Sequence, residues 1–141
     1  MSQITVTKVV EGASHVVIRV DLLGDGTGEL DGHVILAPSD LNPASPNNVP
    51  AFRLMQVWYG LIWFDVALSV GTIIPSPLWS VSRDSGCHAD FRSFGGLLDL
   101  NVYNSPPSDD NGKLTLSTNG LLKGSIGSLV LELRKTNQAS A

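Results

Sequence analysis

Residues 51–70 read AFRLMQVWYGLIWFDVALSV and hold two of the three tryptophans, one of the two tyrosines and two of the four phenylalanines. Taken alternately, the even positions are Phe52, Leu54, Gln56, Trp58, Gly60, Ile62, Phe64, Val66 and Leu68, an almost unbroken apolar face. The odd positions, Arg53, Met55, Val57, Tyr59, Leu61, Trp63, Asp65 and Ala67, are mixed, with a charge near each end. A period of two with both sides largely apolar marks the central strand, or strand pair, of a β core. One unbroken strand of this length would run to roughly 60 Å, whereas strands usually hold about 3–10 residues. A break is therefore expected, and Gly60 is the natural place for it. A helix is disfavoured because aromatic and β-branched residues dominate and a glycine sits mid-run. A membrane span is disfavoured because Arg53, Gln56 and Asp65 leave an apolar run well short of the ~20 residues a span needs.

The flanking sequence repeats the two-residue period. Residues 2–10 alternate Ile4, Val6 and Lys8 against Thr5, Thr7 and Val9. Residues 15–22 place Val16, Ile18, Val20 and Leu22 inward and Val17, Arg19 and Asp21 outward. After the glycine-rich turn 24–28, residues 29–36 continue as a strand, and the two read as a hairpin. Residues 97–103 read as another strand. Leu114 and Leu116, then Leu129, Leu131 and Leu133, mark a second hairpin near the end, followed by a polar tail over 136–141. The whole chain, residues 1–141, is expected to form a single all-β domain. Its fold class is a two-sheet antiparallel sandwich, jelly-roll-like, with long loops rich in proline and glycine.

Composition narrows the function. The chain has 141 residues, net charge −4 and one cysteine, Cys87. That charge argues against a nucleic-acid partner, which needs a basic face to displace counterions. A lone cysteine forms no internal disulfide. The N-terminus lacks the apolar segment of a secretion signal, so a cytosolic site of synthesis is expected. Charged residues make up only 16% of the chain, a value suited to a surface partly covered by neighbouring subunits.

No G-x-S-x-G, phosphate-loop, G-x-G-x-x-G or H-E-x-x-H pattern is present, and neither an enzyme nor a cofactor is expected. Residues 21–29, DLLGDGTGE, superficially resemble a calcium loop, but the EF-hand spacing is not met and a tight glycine turn explains them. Residues 83–92 gather Arg83, Asp84, Cys87, His88, Asp90 and Arg92. Adjacent Cys87 and His88 point apart in an extended chain, so a nucleophile or zinc site is disfavoured. Arg83 with Asp84, and Asp90 with Arg92, are expected to pair and either shape the loop or meet a neighbouring subunit. The loop over 37–50 carries four prolines and the apolar residues Leu41 and Val49. Loops of this length inside a domain are often functional, so Leu41 and Val49 are candidate contact residues. The acidic run 109–112 is a candidate cation site, against the commoner role expected for it, a type I turn leading into a strand. Exposed aromatics such as Trp79 or Tyr103 are candidate sugar-stacking residues, against the commoner role of core filling.

The stretches FRLMQVWYGLIWFDV (52–66), RDSGCHADFRSFGG (83–96) and GKLTLSTNGLL with SLVLELRK (112–122, 128–135) resemble small structural proteins of tailed-bacteriophage virions. The resemblance is one of style over most of the chain and carries no residue-specific motif. It implies a capsid decoration (cement) protein of the virion that assembles with itself and with the major capsid protein. A head–tail connector, collar or tail protein, and a carbohydrate-binding jelly roll, are the alternatives.

Overall fold

A computed structural model describes residues 3–41, 52–71, 76–82, 86–97 and 113–135. They form nine strands: β1 (Gln3–Glu11), β2 (His15–Leu23), β3 (His33–Leu36), β4 (Phe52–Ile62), β5 (Asp65–Val70), β6 (Ser76–Val81), β7 (Gly86–Asp90), β8 (Leu114–Asn119) and β9 (Ile126–Lys135). One sheet has the order β1-β2-β9-β4-β7, the other β3-β8-β5-β6. Every neighbouring pair is antiparallel. The pairings β2·β9, β3·β8, β4·β7 and β5·β6 join first to last along the chain, as in a long antiparallel ribbon rolled on itself. That is a jelly roll, with β1 added to one edge.

The rolled topology corrects both expected hairpins. β2 and β3 lie in different sheets, as do β8 and β9. Alternation along each strand is the same in a hairpin and in a ribbon crossing between sheets, so periodicity does not distinguish them. The inward residues are as expected: Val16, Ile18, Val20, Leu22, Leu114, Leu116, Leu129, Leu131 and Leu133 are all at most 2% exposed. Each such side chain contributes roughly 1.5–3 kcal/mol by leaving water. β7 lies inside the stretch expected to be a polar loop, because Gly86–Asp90 has only one apolar strand former and little alternation. β6 contains Pro77 and is an edge strand, where a missing N–H costs least. The expected strand over 97–103 lies outside the described residues beyond Leu97, which makes an isolated bridge to Leu54. The proline loop from residue 42 on, the acidic run 109–112 and the tail 136–141 also lie outside them.

The 51–70 stretch is pleated, but its inward face changes phase twice. Phe52 and Leu54 face the core, and an irregularity then falls between Leu54 and Gln56 in the ladder to β9. Beyond it the odd residues Val57, Tyr59 and Leu61 turn inward, and Trp58, Gly60 and Ile62 turn outward. The break between the two strands falls at Trp63-Phe64, not at Gly60. Trp63 has φ of 76°, the sole non-glycine residue with positive φ among those described. That left-handed backbone is strained for a bulky residue. It turns the chain from one sheet to the other, drives Phe64 fully into the core and leaves Trp63 exposed. The core phase then returns to Val66, Leu68 and Val70.

Candidate functional site

The phase change decides what the outer face of the five-stranded sheet displays. Ladder register aligns its residues in rows across the strands. The first row is Leu23, Ile126 and Ile62, all exposed aliphatics. The second is Thr5, Asp21, Ser128 and Gly60, mostly small residues. The third is Thr7, Arg19, Val130, Trp58 and His88. A row of small residues between two rows of large ones makes a groove across the strands. The concavity is about 750 Å³ and is lined by Gln3, Thr5, Arg19, Asp21, Leu23, Gly60, Ile62, Ile126 and Ser128, among others. A Cβ placed on Gly60 would meet nothing within 4 Å, so the glycine opens directly onto this space.

The groove has two chemically different sides. Leu23, Ile62 and Ile126 form an aliphatic wall. Opposite them, Arg19 Nε donates to both carboxylate oxygens of Asp21, at 3.1 Å each. The pair stands two residues apart on one strand face and is about half exposed on both side chains.

Beyond the groove the face is held by a polar chain. Gln56 Nε2 donates to Glu132 Oε1 at 2.8 Å, and His88 Nε2 donates to Gln56 Oε1 at 2.8 Å. This explains how Gln56 is only 5% exposed on an outward face. The His88 ring stacks on Trp58, centroids 4.8 Å apart and planes within 4°. Cys87 faces the other way, beside Tyr59, with Sγ 3.8 Å from the His88 carbonyl oxygen. The two side chains therefore point apart, as a strand requires.

The expected contact residues scatter. Leu41 is 4% exposed and belongs to the core cluster. It cannot present a surface to a partner, because it anchors the end of the loop from inside. Val49, Arg83 and Asp84 lie outside the described residues. Asp90 and Arg92 do pair: Oδ2 accepts from Arg92 Nη2 at 2.7 Å, and Oδ1 accepts from the Arg92 backbone N–H and Nε, each at 3.0 Å. They close the turn after β7.

The Arg92 side chain, and then its backbone N–H, hold the Asp90 carboxyl at about 2, below its usual 3.8. A depressed folded-state pKa stabilises the turn above 3.8, and the stabilisation fades as pH falls toward 2. NMR titration of the Asp90 carboxyl is expected to give a midpoint near 2, returning toward 3.8 in Arg92→Ala. A wild-type midpoint at the ordinary carboxylate value would show that the turn is open in solution.

Of the 21–29 stretch, residues 21–23 end β2 and the remainder is a structural turn. Asp25 Oδ1 accepts the backbone N–H of Thr27 at 2.9 Å. Glu29 is spent on the Thr118 hydroxyl and the backbone N–H groups of Gly120 and Leu121, at 2.8–3.0 Å. No three His, Cys, Asp or Glu side chains among the described residues gather as a metal site.

Of the candidate sugar-stacking aromatics, Trp79 packs edge-on against Tyr59 beside the core, and Tyr103 lies outside the described residues. Trp58 and Trp63, 40% and 52% exposed, are the surface tryptophans. No protein-family pattern matches the chain, and no curated protein is significantly similar to it.

Proposed function

We propose that the protein is a non-enzymatic structural component of a tailed-bacteriophage virion, a decoration subunit that associates with copies of itself and binds the major capsid protein. The jelly roll recurs in viral shell proteins, which supports this by fold analogy alone. The observation that carries it is β1. Its nine residues form the sheet edge, paired with β2 on one side only among the described residues. Val6, Val9 and Val10 are exposed along it, at 38%, 54% and 58%. Solitary proteins usually protect such an edge with charges or a cover. Here the edge carries one exposed lysine, Lys8, and a bulge between Lys8 and Val10, but three exposed valines stand beside them and no described strand pairs with its outer side, which suits strand addition from a neighbouring subunit. Burial of the valines supplies the drive, and the main-chain ladder sets the register.

Sedimentation velocity provides the test. Wild-type protein is expected to self-associate and to co-sediment with purified phage heads. Val9→Lys with Val10→Lys, both at exposed positions, is expected to weaken association by about tenfold or more, ~1.4 kcal/mol, with unchanged melting temperature. A monomer at the highest soluble concentration that also ignores heads would overturn the proposal. Copy number then separates shell decoration, with many subunits per particle, from a neck or tail ring, with one small ring of them.

A further inference from the structure

We infer that the groove over Gly60 is a binding site for a neutral glycan chain. This goes beyond a structural role, since it gives the outer face a ligand of its own. Four observations converge on it. The first is size: about 750 Å³ falls within the ~300–1,000 Å³ usual for ligand sites. The second is shape. The floor runs across β1, β2, β9 and β4, and three spacings of roughly 4.8 Å give it a length of about 14 Å, enough for a short oligosaccharide.

The third observation is the split chemistry of the walls. A pyranose ring has an apolar C–H face and a polar hydroxyl rim. Leu23, Ile62 and Ile126 offer the first a flat aliphatic surface. Arg19 and Asp21 offer the second both kinds of partner. Asp21 is acceptor-only and suits a pair of neighbouring hydroxyls, while the Arg19 Nη groups make no hydrogen bond within the described structure. A guanidinium fork donates to hydroxyl oxygens in fixed geometry. Thr5 and Gln3 extend the polar wall.

The fourth observation selects a glycan over a peptide. The floor is a sheet face, and its strands β2, β9 and β4 are each paired on both sides. Across the floor the ladders pair β2 and β9 on both sides and β4 on both sides as far as Gly60, so away from the β1 edge an extended peptide would find few backbone partners. A sugar needs only side-chain hydrogen bonds and C–H contact. The net charge of −4, with Arg19 already facing Asp21, disfavours an acidic polysaccharide and leaves neutral ones.

Gly60 makes the inference testable without harming the fold. Its backbone is outside the left-handed region and its Cβ direction is empty, so Gly60→Leu is expected to fold normally and to occupy the groove floor. The probes are an array of neutral di- to tetrasaccharides of hexoses and N-acetylhexosamines, then calorimetric titration of whichever binds. Wild type is expected to bind at least one of them. Gly60→Leu, and separately Arg19→Ala with Asp21→Ala, are expected to weaken that binding at least tenfold at unchanged melting temperature. The β1 variant Val9→Lys with Val10→Lys is expected to keep it, which separates the groove from subunit assembly. Failure of every glycan to bind would overturn the inference. So would glycan binding indifferent to Gly60→Leu and to the Arg19/Asp21 variant, or capture of extended peptides in place of glycans.

Discussion

Phe64→Ala is expected to lower the unfolding free energy by about 3–5 kcal/mol, the usual cost of emptying a fully buried phenylalanine site. For a domain of this size the melting temperature should fall by roughly 10–20 °C. Phe64 is 0% exposed and sits where the chain passes from β4 to β5, from one sheet to the other. Its ring fills space that Gly127 leaves on β9. A Cβ on Gly127 would come within 2.6 Å of Phe64 Cζ and 2.9 Å of Leu61 Cδ2. Gly127→Ala alone should therefore overpack the site and cost about 1–3 kcal/mol. Combined with Phe64→Ala, the added methyl enters the vacated volume, and the two losses should add to less than their sum, with coupling of about 0.5–3 kcal/mol. Urea denaturation of the four proteins measures this. Strict additivity would mean that the Phe64 ring does not lie against Gly127.

That packing also explains how much of the fold could be read from residues alone. The inward sets of β2, β8 and β9 followed from simple alternation, because those strands keep one phase from end to end. Strand β4 does not. Its irregularity after Leu54 consumes one residue, and the left-handed Trp63 reverses the phase again. Neither event has a local sequence marker: Met55 is an ordinary strand residue, and tryptophan is a poor choice for positive φ. The apparent marker, Gly60, does something else, keeping a surface groove open. Trp58 and Ile62, which alternation places inside, consequently stand outside.

The site was less legible than the fold for a related reason. Thr5, Asp21, Ser128 and Gly60 lie far apart in sequence, and only the ladder register makes them a row. Arg19 and Asp21 were visible as outward charges on one strand. What they face depends on β9 and β4, whose order in the sheet follows from the roll of the ribbon. The Asp90–Arg92 pairing was readable because it is local, two residues apart. The burial of Leu41 was not, since whether a loop leucine points out or in depends on the sheets beneath it.

Glu11→Ala is the second large loss, expected at about 3–5 kcal/mol, because it removes a carboxylate in direct contact with a buried ammonium. Lys135 is the last residue of β9, and its side chain is only 3% exposed. Its Nζ lies 2.8 Å from Glu11 Oε2 and donates to the Gly12 carbonyl at 2.8 Å. The other Glu11 oxygen meets Lys8 Nζ at 2.9 Å, but that lysine is 39% exposed. Lys8→Ala should accordingly cost no more than about 1 kcal/mol. Lys135→Met keeps the apolar stem and leaves Glu11, 16% exposed, with Lys8 and solvent, so its loss should fall between the two. Glu11→Leu with Lys135→Met removes the buried ammonium together with its partly buried carboxylate and should recover most of the stability, as replacement of such a pair by apolar groups commonly does. The clasp matters for assembly because it ties the end of β1 to β9 across the intervening β2. In Glu11→Ala, amide hydrogen exchange over β1 should quicken more than over β9, since the edge strand loses its far anchor while the central strand keeps two ladders. Self-association should weaken in the same variant. Exchange that rises equally in both strands would instead mark a global loss of stability and remove the link between this clasp and the β1 edge.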